Sequence, residues 1–143
     1  MNLTTEGRDT AIIFGDGAGA VIISSTKDQR GILSTHMHSE GKYLKELWLE
    51  SPASNAGYPR IKSSDINDGK QFLKMNGKEV FKHAVTRFPE VINECLEKND
   101  IKIKDINLFI PHQANLRITK MVQKKLRLDD SQVFSNIEKY GNT

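Results

Sequence analysis

The stretch LFIPHQANLRI, residues 108–118, carries the clearest indication of the architecture. A nearly continuous apolar run, Asp105 to Ile110, leads into a proline and His112, and a helical pattern follows from about Asn115 to Leu126. Such a run is typical of a strand buried on both faces of a parallel sheet. His112 is therefore predicted at the carboxyl end of a strand, which is where α/β folds build functional sites.

The flanking residues continue an alternation of helices and strands. Apolar residues recur at three- and four-residue spacing from Lys78 to Lys98, which predicts an amphipathic helix. Pro89 interrupts this pattern and predicts a kink or a restart, with the proline in the first turn of a second segment. A further strand is predicted from Gln132 to Ile137. This order indicates an α/β layered fold.

The N-terminal third is rich in β-formers. Thr10 to Ser24 (TAIIFGDGAGAVIIS) is typical of two strands around a glycine turn, and Gly31 to Met37 of another strand. From residue 39 to residue 69 the periodicity fades, which predicts a long irregular connection. The chain thus divides into residues 1–38, 39–69 and 70–143.

Composition restricts the class of protein. A chain of 143 residues with 37% hydrophobic residues suits one domain, and a net charge of +3 is too small to indicate nucleic-acid binding. The single cysteine, Cys95, excludes an internal disulfide and fits a reducing compartment. The N-terminus is too polar for a signal peptide, and no apolar run approaches the roughly 20 residues of a membrane span. We therefore expect a cytoplasmic protein, or one of an equivalent plastid-type compartment.

Three motifs resemble nucleotide-binding, metal-binding or nucleophilic sites, but the neighbouring sequence does not favour those interpretations. GDGAGA (residues 15–20) has G-x-G-x-G spacing and is followed by β-branched residues, so close backbone packing is a better interpretation than nucleotide binding. His36 and His38 could share one face of a strand, but no third ligand has a fixed position, and we expect no metal. Cys95 lies on the apolar stripe of a helix near its C-terminal end, which favours packing over nucleophilic chemistry.

Two further features stay open on the residues alone. The segment from Asn115 to Leu128 contains no acid, so its basic side chains form either a solvated face or a docking surface for an acidic partner. Asn142 follows a predicted strand and a glycine, as His112 follows its strand. Two polar side chains at strand ends suggest a shared pocket.

Together these motifs resemble a known family. FIPHQANLRI (109–118), with KYGNT (139–143) placing an asparagine thirty residues after the histidine, is similar to β-ketoacyl-acyl-carrier-protein synthase III of the thiolase superfamily. IIFGDGAGAVI (12–22) and MNGKEVFKHAV (75–85) match that family in the same order. The resemblance implies a partial thiolase-like layered α/β fold: the end of the N-terminal half (1–38), the irregular connection (39–69), and the C-terminal half truncated after GNT (70–143).

The resemblance also implies an activity. Family members start type II fatty-acid synthesis by decarboxylative Claisen condensation of an acyl-CoA primer with malonyl-acyl-carrier protein. His112 and Asn142 would stabilise the thioester enolate by donating hydrogen bonds to its oxygen. The family's nucleophilic cysteine belongs to an upstream region, and Cys95 does not match its motif, so the chain alone is expected to be inactive.

The resemblance assigns binding roles as well. Substrate or CoA contacts would come from Met75, Gly77, Phe81, Asn115 and Ile118. Carrier-protein contacts would come from Gln113, Ala114, Asn115, Leu116, Arg117, Lys120 and Lys124. The implied partners are acyl carrier protein and acyl-CoA, with a homodimer in the intact enzyme. No separate cofactor, metal, nucleic acid or membrane is expected.

Two alternatives remain. One is a related ketoacyl synthase or acyltransferase of secondary metabolism that uses the same histidine and asparagine. The other is a non-catalytic module that docks carrier protein, although a docking module would need neither His112 nor Asn142.

Overall fold

A computed structural model describes residues 7–28, 30–54 and 57–143. The chain forms two compact units. The first combines the residues up to Phe14 with Ser39–Lys82, and the second combines Gly15–His38 with His83–Thr143. None of the helices in the described ranges is both long enough and apolar enough to cross a membrane.

The first unit contains short elements around a two-stranded sheet. Their bounds are α1, Arg8–Ala11; a 3₁₀-helix, Gly41–Glu46; β1, Leu47–Trp48; α2, Ser63–Asn67; β2, Lys74–Met75; and the first residues of α3, Gly77–Lys98. β1 and β2 are antiparallel, with Leu47 opposite Met75. The Asn76 N–H extends the pairing by donating to the Glu46 carbonyl at 2.8 Å, directly before α3 begins. The segment predicted to be irregular, 39–69, therefore holds several short elements.

The second unit contains the rest of α3 and the C-terminal elements. These are a 3₁₀-helix, Ile103–Asp105; α4, Leu116–Leu126; a second 3₁₀-helix, Asp130–Gln132; and α5, Ile137–Tyr140. Phe109 and Val133 form an isolated parallel bridge, in which the Phe109 N–H donates to the Gln132 carbonyl at 2.6 Å and the Phe134 N–H to the Phe109 carbonyl at 2.9 Å.

α4 supplies most of the buried aliphatic side chains of the described residues. Ile118, Val122 and Leu126 recur every four residues on one face, and each is at most 8% exposed. The Asn115 side chain caps the helix by accepting the Arg117 N–H at 2.8 Å. The helix predicted from about Asn115 to Leu126 is thus confirmed, because its periodicity and its cap are both local signals.

α3 confirms the predicted long helix and shows no restart at Pro89, while the alternative prediction of a kink stays a prediction. It is continuous from Gly77 to Lys98, with Pro89 inside it. Because proline has no N–H, Pro89 cannot donate to the carbonyl of Val85 four residues earlier. The Nζ atom of Lys125, on α4, donates to that carbonyl instead at 2.7 Å. A donor from another helix thus replaces the main-chain hydrogen bond that proline removes.

None of the predicted strands is formed, and β1 and β2 lie where no strand was predicted. In place of the strands at 10–24 and 31–37 the structure has α1 and long stretches without regular structure. The strand predicted from Asp105 to Ile110 is reduced to the bridge at Phe109, and Ile110 is 67% exposed rather than buried. The strand predicted over 132–137 is replaced by the second 3₁₀-helix, a bridge at Val133 and the start of α5. A strand needs a partner for its main-chain groups, and no other described strand runs beside these residues.

The N-terminal part of the second unit exposes β-branched side chains. Val21 is 85% exposed, Ile22 100% and Ile23 84%. These side chains belong to a stretch without regular structure that has no hydrogen-bonded neighbour strand in the described chain.

Candidate active site

His112 lies in the loop between the Phe109 bridge and α4. Its side chain is exposed, the preceding Pro111 is buried, and its carbonyl accepts the Ala114 N–H at 2.9 Å. No hydrogen bond to the imidazole is found among the described residues. His112 thus precedes α4 as predicted, but it follows a single bridge residue, Phe109, and not the buried strand that was predicted. An imidazole presented in this way is accessible to a ligand.

Asn142 is buried, at 9% exposure, and follows α5 and Gly141. Gly141 has a φ of 67°, a left-handed conformation that favours glycine, and it turns the chain sharply after the helix. The Asn142 carbonyl accepts the Gly15 N–H at 2.6 Å, which anchors the main chain beside the carboxamide. The residue therefore follows a short helix rather than the predicted strand.

The glycine motif packs against Asn142 and Thr143. A Cβ atom at Gly15 would lie 3.5 Å from the Asn142 carbonyl oxygen, and one at Gly17 only 2.8 Å from the Cβ of Thr143. Gly19 has nothing within 4 Å. The predicted close packing is thus confirmed at Gly15 and Gly17, and no helix follows the motif that could bind a phosphate.

A cleft of about 490 Å³ lies beside this contact. Its lining residues are Asp16, Gly17, Ala18, Gly19, Asn136, Tyr140 and Thr143. The cleft is bordered by the residue that follows Asn142, but neither His112 nor Asn142 is among its lining residues. The prediction that these two side chains share a pocket stays a prediction.

Gln113 connects the His112 loop to the segment that leads towards Asn142. Its Nε2 donates to the carbonyl of Pro111 at 2.9 Å and to that of Phe134 at 3.4 Å. Its Oε1 accepts the Asn136 N–H at 3.1 Å and the Ser135 hydroxyl at 3.3 Å. The sequence contains no signal of these contacts, because the partners beyond Pro111 lie 21 to 23 positions away. The prediction that Gln113 contacts a carrier protein is not tested by these bonds.

His36 and His38 both bind Glu94 on α3. The distances are 2.9 Å from His36 Nδ1 to Oε1 and 2.7 Å from His38 Nε2 to Oε2. These hydrogen bonds lower the pKa of the Glu94 carboxyl from its usual value, and the bond with His36 has the larger effect. The described part of the chain has no group of three or more His, Cys, Asp or Glu side chains that could hold a metal ion. The two histidines therefore share a carboxylate partner, as their spacing allows, but not a strand.

Cys95 lies one residue after Glu94 and is half-buried. Its sulfur has polar neighbours, with Ser34 Oγ at 3.9 Å and Asn99 Nδ2 at 3.8 Å. The position of Cys95 on the apolar face of α3 predicted a purely apolar core site, which the structure does not show. Cys95 also lies outside the segment that carries His112.

The predicted substrate contacts fall into two groups. Met75 ends β2, Gly77 begins α3, and Phe81 follows Gly77 by four residues on the same helix face. A Cβ atom at Gly77 would lie 3.7 Å from the terminal methyl of Met75, so these two positions are neighbours. In the second unit, Asn115 caps α4 and Ile118 is buried at 6% exposure in its core face. Their role in substrate binding stays a prediction.

Three of the predicted carrier-protein contacts form one exposed face of α4. Arg117, Lys120 and Lys124 are exposed at spacings of three and four residues, opposite the buried Ile118, Val122 and Leu126. Leu116, the first residue of α4, and Ala114, which precedes the N-cap, are half-buried. Lys125 does not belong to this face, because its ammonium group binds the Val85 carbonyl.

Comparison with known proteins gives a consistent result. Residues 1–41 match the family described as 3-oxoacyl-[acyl-carrier-protein] synthase III, and residues 96–143 match its C-terminal region. The β-ketoacyl-[acyl-carrier-protein] synthase III of Methylococcus capsulatus is 41% identical over 138 residues, which cover 96% of this chain and 40% of the relative. The chain thus spans about two fifths of the length of the curated relatives that it matches.

Solved structures support the same relationship. The synthase III from Thermus thermophilus superposes with a TM-score of 0.81 at 37% identity, covering 100% of this chain and 42% of that one. A priming β-ketosynthase from the R1128 polyketide pathway gives a TM-score of 0.57 at 30% identity, covering 73% of this chain and 30% of that one. The predicted α/β fold is thereby confirmed as part of a thiolase-like fold. With both ends matched in the expected order, this chain belongs to the 3-oxoacyl-[acyl-carrier-protein] synthase III family.

Proposed function

We propose that the chain is part of a condensing enzyme that joins an acyl-CoA primer to malonyl-acyl-carrier protein and so starts type II fatty-acid synthesis. The proposal is carried by one observation: both regions of the family match in order, and His112 and Asn142 fall within the C-terminal match. The names of the relatives support carrier-protein chemistry.

The proposed chemistry has two stages. An acyl group moves from CoA to a cysteine thiolate supplied by the part of the enzyme that residues 1–143 do not span. The malonyl thioester then loses CO₂, and the electron pair of the broken C–C bond is delocalised onto the thioester oxygen as an enolate. The enolate carbon attacks the acyl thioester and expels the cysteine thiolate. The CoA thioester is a substrate, and no separate cofactor takes part.

His112 and Asn142 have distinct roles in this scheme. The His112 Nε2–H and the Asn142 carboxamide N–H donate to the enolate oxygen as its charge develops. The asparagine donor never titrates, so it provides a dipole of fixed sign. The exposure of His112 and the anchoring of the Asn142 main chain by Gly15 support these roles.

We further propose binding roles for two sets of residues. Met75, Gly77, Phe81, Asn115 and Ile118 would contact the pantetheine arm. The exposed basic face of α4 would attract the acidic carrier protein, because positive charge speeds the encounter with an acidic partner. The complete enzyme would be a homodimer in the cytoplasm, with residues 1–38, 39–69 and 70–143 forming the end of its N-terminal half, a connection and its C-terminal half.

The test uses a complete enzyme in which this chain replaces the segment that it matches in the Thermus thermophilus synthase III. Acyl transfer from acyl-CoA to the enzyme is measured first, followed by release of CO₂ from malonyl-carrier protein. His112→Ala and Asn142→Ala should each slow decarboxylation by about 100- to 1,000-fold. Decarboxylation by both variants at the rate of the unsubstituted enzyme would overturn the proposal.

A second candidate function is priming of polyketide synthesis. It is favoured by the similarity to the R1128 priming β-ketosynthase, but at a lower TM-score. The same complete enzyme distinguishes the two, because a polyketide enzyme would prefer the carrier protein of a polyketide pathway over that of fatty-acid synthesis as the malonyl donor.

A further inference from the structure

Every hydrogen-bonding position of the Gln113 carboxamide has a partner within the chain. A glutamine side chain has two N–H donors and one carbonyl acceptor with two lone pairs. Here both donors go to main-chain carbonyls, of Pro111 and Phe134, while the acceptor takes the Asn136 N–H and the Ser135 hydroxyl. Four hydrogen bonds converge on one side chain that is half-buried.

The partners also fix which way the carboxamide points. The Asn136 main-chain nitrogen can only donate, and the carbonyls of Pro111 and Phe134 can only accept. Reversing the amide would place its NH₂ against the Asn136 N–H and its oxygen against two carbonyls. A single orientation is therefore compatible with these contacts.

The two bonded segments carry the two proposed enolate-stabilising residues. Pro111 and Gln113 flank His112 directly. Asn136 precedes α5, Ile137–Tyr140, which leads through Gly141 to Asn142. All of these residues belong to the second unit. The parallel bridge of Phe109 with Val133 ends just before these segments, so Gln113 continues the connection where the main-chain pairing stops.

We propose that Gln113 is a positioning residue: its carboxamide holds the His112 loop and the Asn142 segment in one geometry, so that both donors meet the same oxygen. This inference rests on the proposed function and adds to it a residue that acts through His112 and Asn142 and not on the reacting atoms. Because reaction rates are sensitive to misplacement of about 1 Å, loosening this connection should affect the chemical step more than binding.

The first test examines the connection in the 143-residue chain. Gln113→Met removes all four hydrogen bonds at similar side-chain length, and Gln113→Glu keeps the acceptor but removes both donors. Amide hydrogen exchange at Asn136 should become faster in Gln113→Met and change less in Gln113→Glu. Unchanged exchange at Asn136 in Gln113→Met would overturn the proposed connection.

The second test measures decarboxylation in the complete enzyme described above. Gln113→Met should lower kcat by about 10- to 100-fold, with KM changed less than about twofold and acyl transfer to the cysteine retained. The same substitution in a His112→Ala background should cause little further loss, because Gln113 acts through the donors it positions. Full additivity of the two losses would overturn the positioning role.

Gln123→Met is the matched control. The Gln123 carboxamide also joins two segments, donating to the Leu128 carbonyl at 3.3 Å and to Asp130 Oδ1 at 2.8 Å, but it lies beyond the proposed site on α4. It should lower stability without a selective loss of kcat. If His112→Ala and Asn142→Ala leave decarboxylation unchanged, the proposed function fails. If they slow it and Gln113→Met behaves as Gln123→Met does, only the positioning role fails.

Discussion

The ammonium group of Lys125 donates a hydrogen bond, 2.7 Å long, to the main-chain carbonyl of Val85. That carbonyl lacks the usual helical donor four residues later, because residue 89 is a proline. The lysine thus supplies the hydrogen bond that proline removes from α3, and the same bond links α3 to α4.

Lys125→Met should lower the free energy of unfolding by about 1 kcal/mol, because a hydrogen bond is lost while the aliphatic stem is kept. In a Pro89→Ala background the same substitution should cost less, since the alanine N–H can then bind the Val85 carbonyl. Urea denaturation of the four variants measures this coupling. Lys124→Met, on the neighbouring exposed position, serves as the control. Equal costs of Lys125→Met in both backgrounds would contradict the assignment.

Gly17→Ala should displace the residues around Asn142. Its Cβ would lie 2.8 Å from the Cβ of Thr143, so one segment must move, at a cost of about 1 kcal/mol or more. The amide resonance of Asn142 should shift in NMR spectra of the variant. Gly19→Ala has open space around it and should be neutral or stabilising by up to about 1 kcal/mol. The prediction is wrong if the two variants have the same stability and the same Asn142 shift.

Glu94 should make the chain less stable in acid. Its pKa is lowered in the folded state by the hydrogen bonds from His36 and His38, so its stabilising contribution is present above the pKa of the unfolded carboxyl, about 4.3. That contribution is lost as the pH falls through this value to the lower pKa of the folded state. Urea midpoints measured from about pH 6 to about pH 3 should fall more for the unsubstituted chain than for Glu94→Gln. Parallel pH profiles would exclude this contribution.

Arg117→Glu, in the complete enzyme, should slow the reaction with malonyl-carrier protein by about 10-fold or more at low salt, with little effect on acyl-CoA. An acidic residue in the first turn suits the helix dipole, so α4 should remain folded. Lys104→Glu changes the net charge equally but lies off α4, and it should have a smaller effect. Equal losses with carrier-protein and CoA substrates would argue against a docking face.

The helices could be predicted from the sequence because their interactions are local. In α3 and α4 the main-chain hydrogen bonds join residues about four positions apart, and apolar residues on one helix face recur at similar spacing. The periodicity of the sequence is therefore enough to locate both helices. The cap at Asn115 is equally local. The restart expected at Pro89 fails because its compensation comes from Lys125, whose partner Val85 lies 40 residues away along the chain.

The strands and the site connections depend on distant partners. The residues predicted as strands, such as Val21 to Ile23, have suitable β-branched side chains but no adjacent strand in the described chain. The PHQAN motif identifies His112 as a functional candidate, yet the contacts of Gln113 with residues 134–136 arise only from folding. His36 and His38 have the spacing to share a partner, but nothing in the pattern selects Glu94, 56 residues from His38.

The exposed side chains of Val21, Ile22 and Ile23 have a practical consequence for handling the polypeptide. Unpaired main-chain groups flanked by β-branched side chains can add a strand from a second molecule, and successive additions build aggregates. Concentrated preparations should therefore precipitate or form fibrils through this run, and replacing Ile22 with lysine should raise the concentration at which samples stay clear.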